Sequence, residues 1–274
     1  CEVDKLVCGK MKPLTSYDTQ IYHTLPNLWP LIKSKVKKDY YTKQIGYCTW
    51  ETKKLPVGWA AEINKMDELW VPSTFNQTSF VDCGVNIPIQ VFPHIFFDQK
   101  LKTRSDVVMH DYRNRIIPND VYTFYCVAEL VDRKGVIDLL ETYTHFNTKH
   151  NRCQLLLKLH HKNYSPENIK LVQDTVSKYG DGVYLISKNV TNQELLDIHS
   201  LGDCYISLHR GEGFGLSLYD AANYGKKIIA TNYGGPVDYL NETHHTIPYV
   251  ISGDWAYPDL GKVAESMEIL FWCN

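Results

Sequence analysis

From Val121 onward, short apolar runs alternate with stretches of helical period. Strands are predicted at Tyr122–Val127, Gln154–Leu159, Val183–Ser187, Tyr205–Leu208, Ile228–Thr231 and Pro248–Ile251. These runs are apolar almost without break and bounded by turn residues, as expected of strands covered on both faces. The intervening helices carry start signals. Ser165-Pro166-Glu167 puts Pro at the first helical position, and Thr191-Asn192-Gln193-Glu194 is a capping box. Strands separated by helices run parallel through right-handed crossovers, which predicts a doubly wound sheet. The amino-terminal part predicts a smaller α/β unit, with helices at Trp29–Lys38, Trp59–Lys65 and Phe75–Cys83 and strands at Ile45–Thr49, Leu69–Val71 and Ile89–Phe92. Between the two units periodicity is lost and charge rises. The chain therefore divides into a partial α/β domain over residues 1–97, a connection over 98–118 and a second α/β domain over 119–274.

Composition narrows the class. With 274 residues and 44% hydrophobic content, two cores of moderate size are expected. No apolar run approaches the ~20 residues that span a bilayer, and no charged-then-apolar leader opens the chain, so neither a transmembrane nor a secreted protein is expected. The 8 cysteines form no Cys-x-x-Cys, and Cys126, Cys153 and Cys204 fall in or beside predicted core strands. Reduced, buried thiols and a cytoplasmic location follow. Lys33, Lys35, Lys37, Lys38, Lys43, Lys53 and Lys54 make the first unit locally basic although the formal net charge is −2. A solvated helix face accounts for such a run; an anionic acceptor or a peripheral contact with a membrane is the alternative. Metal chemistry is not expected, because there is no Asp-x-Asp and no His-x-x-x-His, and the pairs His160-His161 and His244-His245 are adjacent, so their side chains diverge.

The richest stretch is Leu208–Leu240, LHRGEGFGLSLYDAANYGKKIIATNYGGPVDYL. It reads as a strand end, a Gly-Glu-Gly-Phe-Gly turn, a helix, a buried strand and a second glycine turn. Glycine lets the backbone approach a ligand, and the unpaired amides and positive dipole end of the next helix suit a diphosphate. Glu212 and Asp220 flank this turn with seven residues between them. One precedes the helix and the other lies about two turns into it, so they are placed to grip two hydroxyl groups of one ligand.

The ordered set Glu212, Gly213, Phe214, Gly215, Asp220, Gly225, Gly234, Gly235 and Pro236 resembles the signature of retaining GT-B glycosyltransferases of family 4. Asp220 stands where that family usually has a second Glu. Gly46–Ser73, then Cys83-Gly84-Val85 and Val91-Phe92-Pro93-His94, resemble the second half of the acceptor domain in a bacterial/viral-type branch, here shortened. Val127–Leu140 resembles the first strand and helix of the donor domain, with Arg133-Lys134-Gly135 at the phosphate-binding position. The resemblance implies a GT-B fold of two Rossmann-like domains and metal-independent transfer from a nucleotide-diphosphate sugar with retention, and it calls for no cofactor. The acceptor, whether glycan, lipid-linked, protein or modified nucleic acid, stays open.

The same resemblance implies roles. Glu212 binds donor-sugar hydroxyls and Asp220 the ribose. Lys134, Arg133 and the amides of Gly215 and Leu216 stabilise the departing diphosphate, and the donor site also takes in Gly213, Phe214, Asn189 and Val190. Many relatives carry an Arg five or six residues before the Lys, where this chain has Ala128 and Glu129; Lys158 or Arg133 would supply the second cation. On the acceptor side stand His23, which resembles a sugar-approaching His of relatives, and Glu51 at a predicted strand end. The competing class is a non-catalytic sugar-nucleotide or nucleic-acid binder of the same fold. A dinucleotide oxidoreductase is disfavoured, since no Gly-x-Gly-x-x-Gly follows the first strand of either domain.

Overall fold

The computed structural model describes residues 18–35, 42–150 and 152–273. The end of the helix expected over Trp29–Lys38, with Lys37 and Lys38, lies outside them. Two parallel sheets carry the fold. The first contains β1 (Thr19–His23), β2 (Lys43–Tyr47), β3 (Glu68–Val71) and β4 (Ile89–Val91), in that spatial order. Helices α1 (Trp29–Lys33), α2 (Trp59–Ile63) and α3 (Thr74–Asp82) connect and cover them. Its core gathers Tyr22, Trp29, Ile63, Leu69, Val71 and Phe80. β1 was not anticipated: it is an edge strand of five residues whose burial rests on Tyr22 alone, too short a pattern to separate from a loop.

The second sheet holds β5 (Tyr122–Glu129), β6 (Cys153–His160), β7 (Val183–Ile186), β8 (Cys204–Ser207), β9 (Lys227–Thr231) and β10 (His245–Ile247), all parallel, in the order β10-β9-β8-β5-β6-β7. One face packs against α4 (Val136–Asn147), α5 (Pro166–Val176) and α8 (Leu260–Trp272) through Leu139, Leu140, Tyr143, Val172, Val263 and Met267. The other packs against α6 (Asn192–Leu201) and α7 (Leu216–Asn223) through Ile198, Leu201, Leu218 and Ala221. Burial on both faces explains why CQLLLKLH in β6 is buried at all but its last residue. Thr191 and Glu194 form the reciprocal capping box that opens α6, and Ser165 caps α5 ahead of Pro166.

The last strand corrects the sequence expectation. Pro248–Ile251 does not complete the sheet; His245–Ile247 does, and Tyr249–Ser252 (β11) pairs antiparallel with Trp255–Pro258 (β12). Pro248 has no N–H to continue the ladder, and Gly253, at φ 62°, occupies the first central position of the tight turn between the new strands. Among the described residues no helix is long and apolar enough to cross a membrane.

Candidate functional site

The strand order of the second sheet reverses between β5 and β8, with β6 and β7 to one side and β9 and β10 to the other. That reversal opens a crevice at the carboxyl ends of β5 and β8, the place where open α/β sheets take ligands. β5 leads into a single turn, Asp132–Lys134, and then Gly135 at φ 62°. A Cβ there would lie 2.1 Å from the carbonyl oxygen of Leu208, so only glycine lets this turn seat against the exit of β8. β8 leads into the glycine turn at 211–215, which starts α7. Arg210 joins the two turns: its amide donates to Arg133 O (2.7 Å), and its guanidinium reaches Asp132 (2.6 Å) and Asp138 (2.7 Å). His209 Nε2 donates to Tyr233 O (2.9 Å), which leaves Nδ1 to accept from the Ser207 hydroxyl (3.0 Å). Tyr239 Oη donates to Phe214 O (2.7 Å) and pins the turn from the far side.

A cavity of about 260 Å³ lies over these turns, lined by Thr49, Glu51, His94, Lys134, Glu212 and residues Gly213 to Leu218, with the end of β5 beneath. Lys134 Nζ sits on Glu212 Oε2. Arg133 spans two carboxylates, with Nη1 3.8 Å from Glu212 Oε2 and Nη2 3.3 Å from Glu51 Oε1. Burial alone would raise the Glu212 carboxyl; Lys134, His209 and Arg133 together outweigh it and hold the group below its ordinary value. Gly215 at the N-cap of α7 offers no side chain, so the first-turn amides are left to face this cavity. The start of α3 closes the roof: Ser73 Oγ donates to Gly213 O (2.8 Å), and Thr74 binds Asp238 through its amide (2.6 Å) and its hydroxyl (2.5 Å). A Cβ on Gly213 would stand 2.0 Å from Thr49 Oγ1, so this glycine permits the close approach of the two units.

A second cavity, about 640 Å³, adjoins the first at His94 and Leu216. Its walls are the aromatic ends of the first sheet (Tyr47, Trp70, Phe92), the faces of α6 and α7 that carry Leu195, His199 and Asp220, and Tyr224 just after α7. Burial raises the Asp220 carboxyl above its ordinary value. It lowers His94, helped by nearby His23, and takes His199 to about 4, so both imidazoles are neutral at pH 7. His94 meets the rings of Tyr47 (5.9 Å) and Phe214 (4.9 Å) edge-on and is the hinge between the two cavities.

The structure thus brings Glu51, Lys134, Glu212, Gly213, Phe214, Gly215 and Leu216 together, with Arg133 bonded into the group. Asp220 and His23 line the larger cavity, His23 as the last residue of β1, its ring 4.5 Å from that of Tyr47. Two expectations differ. Lys158 is buried (4% exposed) inside β6, where it pairs with Val127 and Ile186, and its Nζ is tied to Tyr164 Oη (2.9 Å), so it faces neither cavity. Asn189 and Val190 line neither cavity: β7 ends at Ile186, Asn189 points to solvent and Val190 packs on the core, while Asn192 and Leu195 reach the larger cavity. Arg210, Tyr239 and His94 were not foreseen as site residues. Only His94 had a local signal, standing just after the Pro93 that follows β4. Among the described residues no group of three or more His, Cys, Asp or Glu is arranged to hold a metal ion.

Comparison with known proteins bears on the family and the fold. The family model described as "Glycosyl transferases group 1" matches residues 111–251. No curated protein matches the chain in sequence. Among solved structures, TarM superposes with a TM-score of 0.62 and 14% identity over 92% of this chain and 48% of its own. An S. aureus TarM mutant in complex with Fondaparinux, alpha-GlcNAc-glycerol and UDP gives 0.62 and 15% over 90% and 47%. Trehalose-6-phosphate synthase OtsA gives 0.68 and 13% over 100% and 69%, and the E. coli protein bound with UDP-2-fluoro glucose gives 0.66 and 14% over 100% and 70%. The chain spans about half the length of TarM. These neighbours share the α/β GT-B fold with its two Rossmann-like units.

Proposed function

Because the chain belongs to the glycosyl transferases group 1 family, we propose that it moves a sugar from a nucleotide-diphosphate donor to an acceptor, without a metal and with retention at the anomeric carbon. The observation that carries this reading is the Lys134–Glu212–Arg133 cluster facing the first amides of α7 at the strand-order reversal. Lys134, Arg133 and the amides of Gly215 and Leu216 receive the diphosphate and stabilise the charge that develops as it leaves. Arg133 takes the part of the second cation, since it already reaches the Glu212 carboxylate and Lys158 does not. Glu212 exchanges its contact with Lys134 for donor-sugar hydroxyls, and Asp220 takes the ribose at the border with the larger cavity. The leaving phosphate helps to deprotonate the acceptor, so no dedicated general base is required. Residues 1–97 serve as the acceptor-side domain, 98–118 as the connection and 119–274 as the donor domain. The six described cysteines are free, four of them buried, which supports a cytoplasmic setting.

A thermal-shift screen with UDP-, GDP-, ADP- and CMP-linked sugars tests donor recognition; a ligand at 100 times its Kd should stabilise the fold by about 2.7 kcal/mol. With the donor identified, transfer is followed in excess EDTA and the product linkage from an α-linked donor is assigned by NMR. Undiminished transfer and an α-linked product are expected. Activity lost to EDTA and restored by Mn²⁺, or a β-linked product, rejects the mechanism.

A further inference from the structure

We propose that Glu51 is an acceptor-binding carboxylate held in reserve by Arg133, and that the donor diphosphate frees it to accept a hydrogen bond from a neutral hydroxyl acceptor. The proposal rests on the donor site described above. Glu51 belongs to the first unit and lines the smaller cavity beside Thr49. Its backbone is fixed against the glycine turn, because a Cβ on Gly211 would come within 2.6 Å of Glu51 O. Only the side chain needs to move. Among the described residues its carboxylate has one polar partner, Arg133 at 3.3 Å, and both side chains keep about a quarter of their exposure (25% and 26%). Ion pairs of that exposure are weak and exchange easily.

Two cations and two carboxylates meet at this cavity: Lys134, Glu51 and Glu212 line it, and Arg133 pairs with both carboxylates. A diphosphate that engages both cations leaves both carboxylates without a counter-charge. Glu212 then faces the donor sugar and Glu51 faces the first unit, where an acceptor enters. A nucleophile that donates a hydrogen bond satisfies Glu51, whereas a phosphate beside the attacking hydroxyl meets net negative charge and is repelled. The acceptor is thus an alcohol neutral around its reactive hydroxyl, and it binds after the donor.

The test uses Glu51→Gln and needs no identified acceptor, because water is itself a neutral hydroxyl. UDP, GDP and ADP are titrated calorimetrically into the native protein and the variant. The nucleoside diphosphate that binds the native protein should bind Glu51→Gln about two- to fivefold more tightly, the worth of a partly exposed ion pair that no longer competes for Arg133. Hydrolysis of the matching nucleotide sugar should slow by about 10- to 100-fold, the loss of a charged hydrogen bond. Glu51→Asp should recover part of the rate, which a folding defect would not allow. In an Arg133→Met background the Glu51→Gln substitution should leave nucleotide affinity unchanged. Unchanged or weaker binding by Glu51→Gln, or an equal gain without Arg133, overturns the latch and leaves the donor site standing. Failure of all three nucleotides to bind the native protein removes the donor site and the latch together.

Discussion

Glu212 and Asp220 lie at the two ends of one turn and helix, yet their surroundings are opposite. Glu212 is clasped by Lys134 with Arg133 nearby and is held below its ordinary pKa. Asp220 has no ion pair among the described residues; it faces a cavity walled by aromatic and aliphatic side chains, and burial raises it. The smaller cavity is therefore filled with compensated charge, and a ligand enters by exchanging ion pairs. In the larger one it enters by covering apolar surface and giving one carboxylate its missing hydrogen bonds. Under the proposed reaction the two carboxylates of one motif have separate tasks, Glu212 at the bond that breaks and Asp220 in donor affinity.

Removing the clasp should break this contrast most strongly. Lys134→Ala takes one preorganised cation from the diphosphate and leaves Glu212 with only the more distant Arg133. A loss of about 10²- to 10³-fold in transfer rate is expected, together with a lower thermal midpoint, because Lys134 is the nearest counter-charge of the buried Glu212 carboxylate. Steady-state kinetics beside a thermal melt of the same preparation checks it. Native turnover in a folded variant would take Lys134 out of the site.

The two carboxylates should then separate kinetically. Glu212→Gln should lower kcat, since the proposed reaction has its bonds to the sugar strengthen as the sugar reacts. Asp220→Asn should raise the donor KM or Kd with kcat nearly intact; a charged hydrogen bond is worth about 1.5–3 kcal/mol, roughly 10- to 150-fold. Matching changes in kcat and KM for both variants would show that the cavities act as one.

Much of this arrangement was legible along the chain. The strands of the second sheet announce themselves because burial on both faces demands unbroken apolar runs, as in Leu155-Leu156-Leu157, and the Glu212 to Asp220 stretch carries its glycines because backbones must approach closely there. What stayed hidden depends on distant partners. β1 is recognised only by its pairing with β2, and the last strand of the sheet could be placed only by knowing that Pro248 interrupts the ladder. Arg210 binds Asp132 and Asp138 across more than seventy residues, and Glu51 finds Arg133 across two domains. Lys158 and Asn189 line neither cavity for the same reason: strand ends point to the crevice, but which neighbouring residue turns into it is decided by packing, here Tyr164 for the first and the capping box at Thr191 for the second.

The smallest effect, and the one that sharpens the contrast furthest, is on stability against pH. Glu212 has a folded pKa below its unfolded value of about 4.5, so its contribution is present above that value and is lost as pH falls through the folded pKa. Asp220 has a folded pKa above its unfolded value of about 3.8. Its contribution is therefore present below the unfolded value and is lost as pH rises through the folded one. At neutral pH the first carboxylate stabilises the fold and the second opposes it. Urea midpoints measured from acid to neutral pH should show Glu212→Gln less stable than the native protein at neutrality, converging with it in acid. Asp220→Asn should be the more stable protein at neutrality, with its advantage shrinking over the same descent. An Asp220→Asn variant less stable than the native protein at pH 7 would mean that this carboxylate has a hidden counter-charge, and the two cavities would no longer differ in kind.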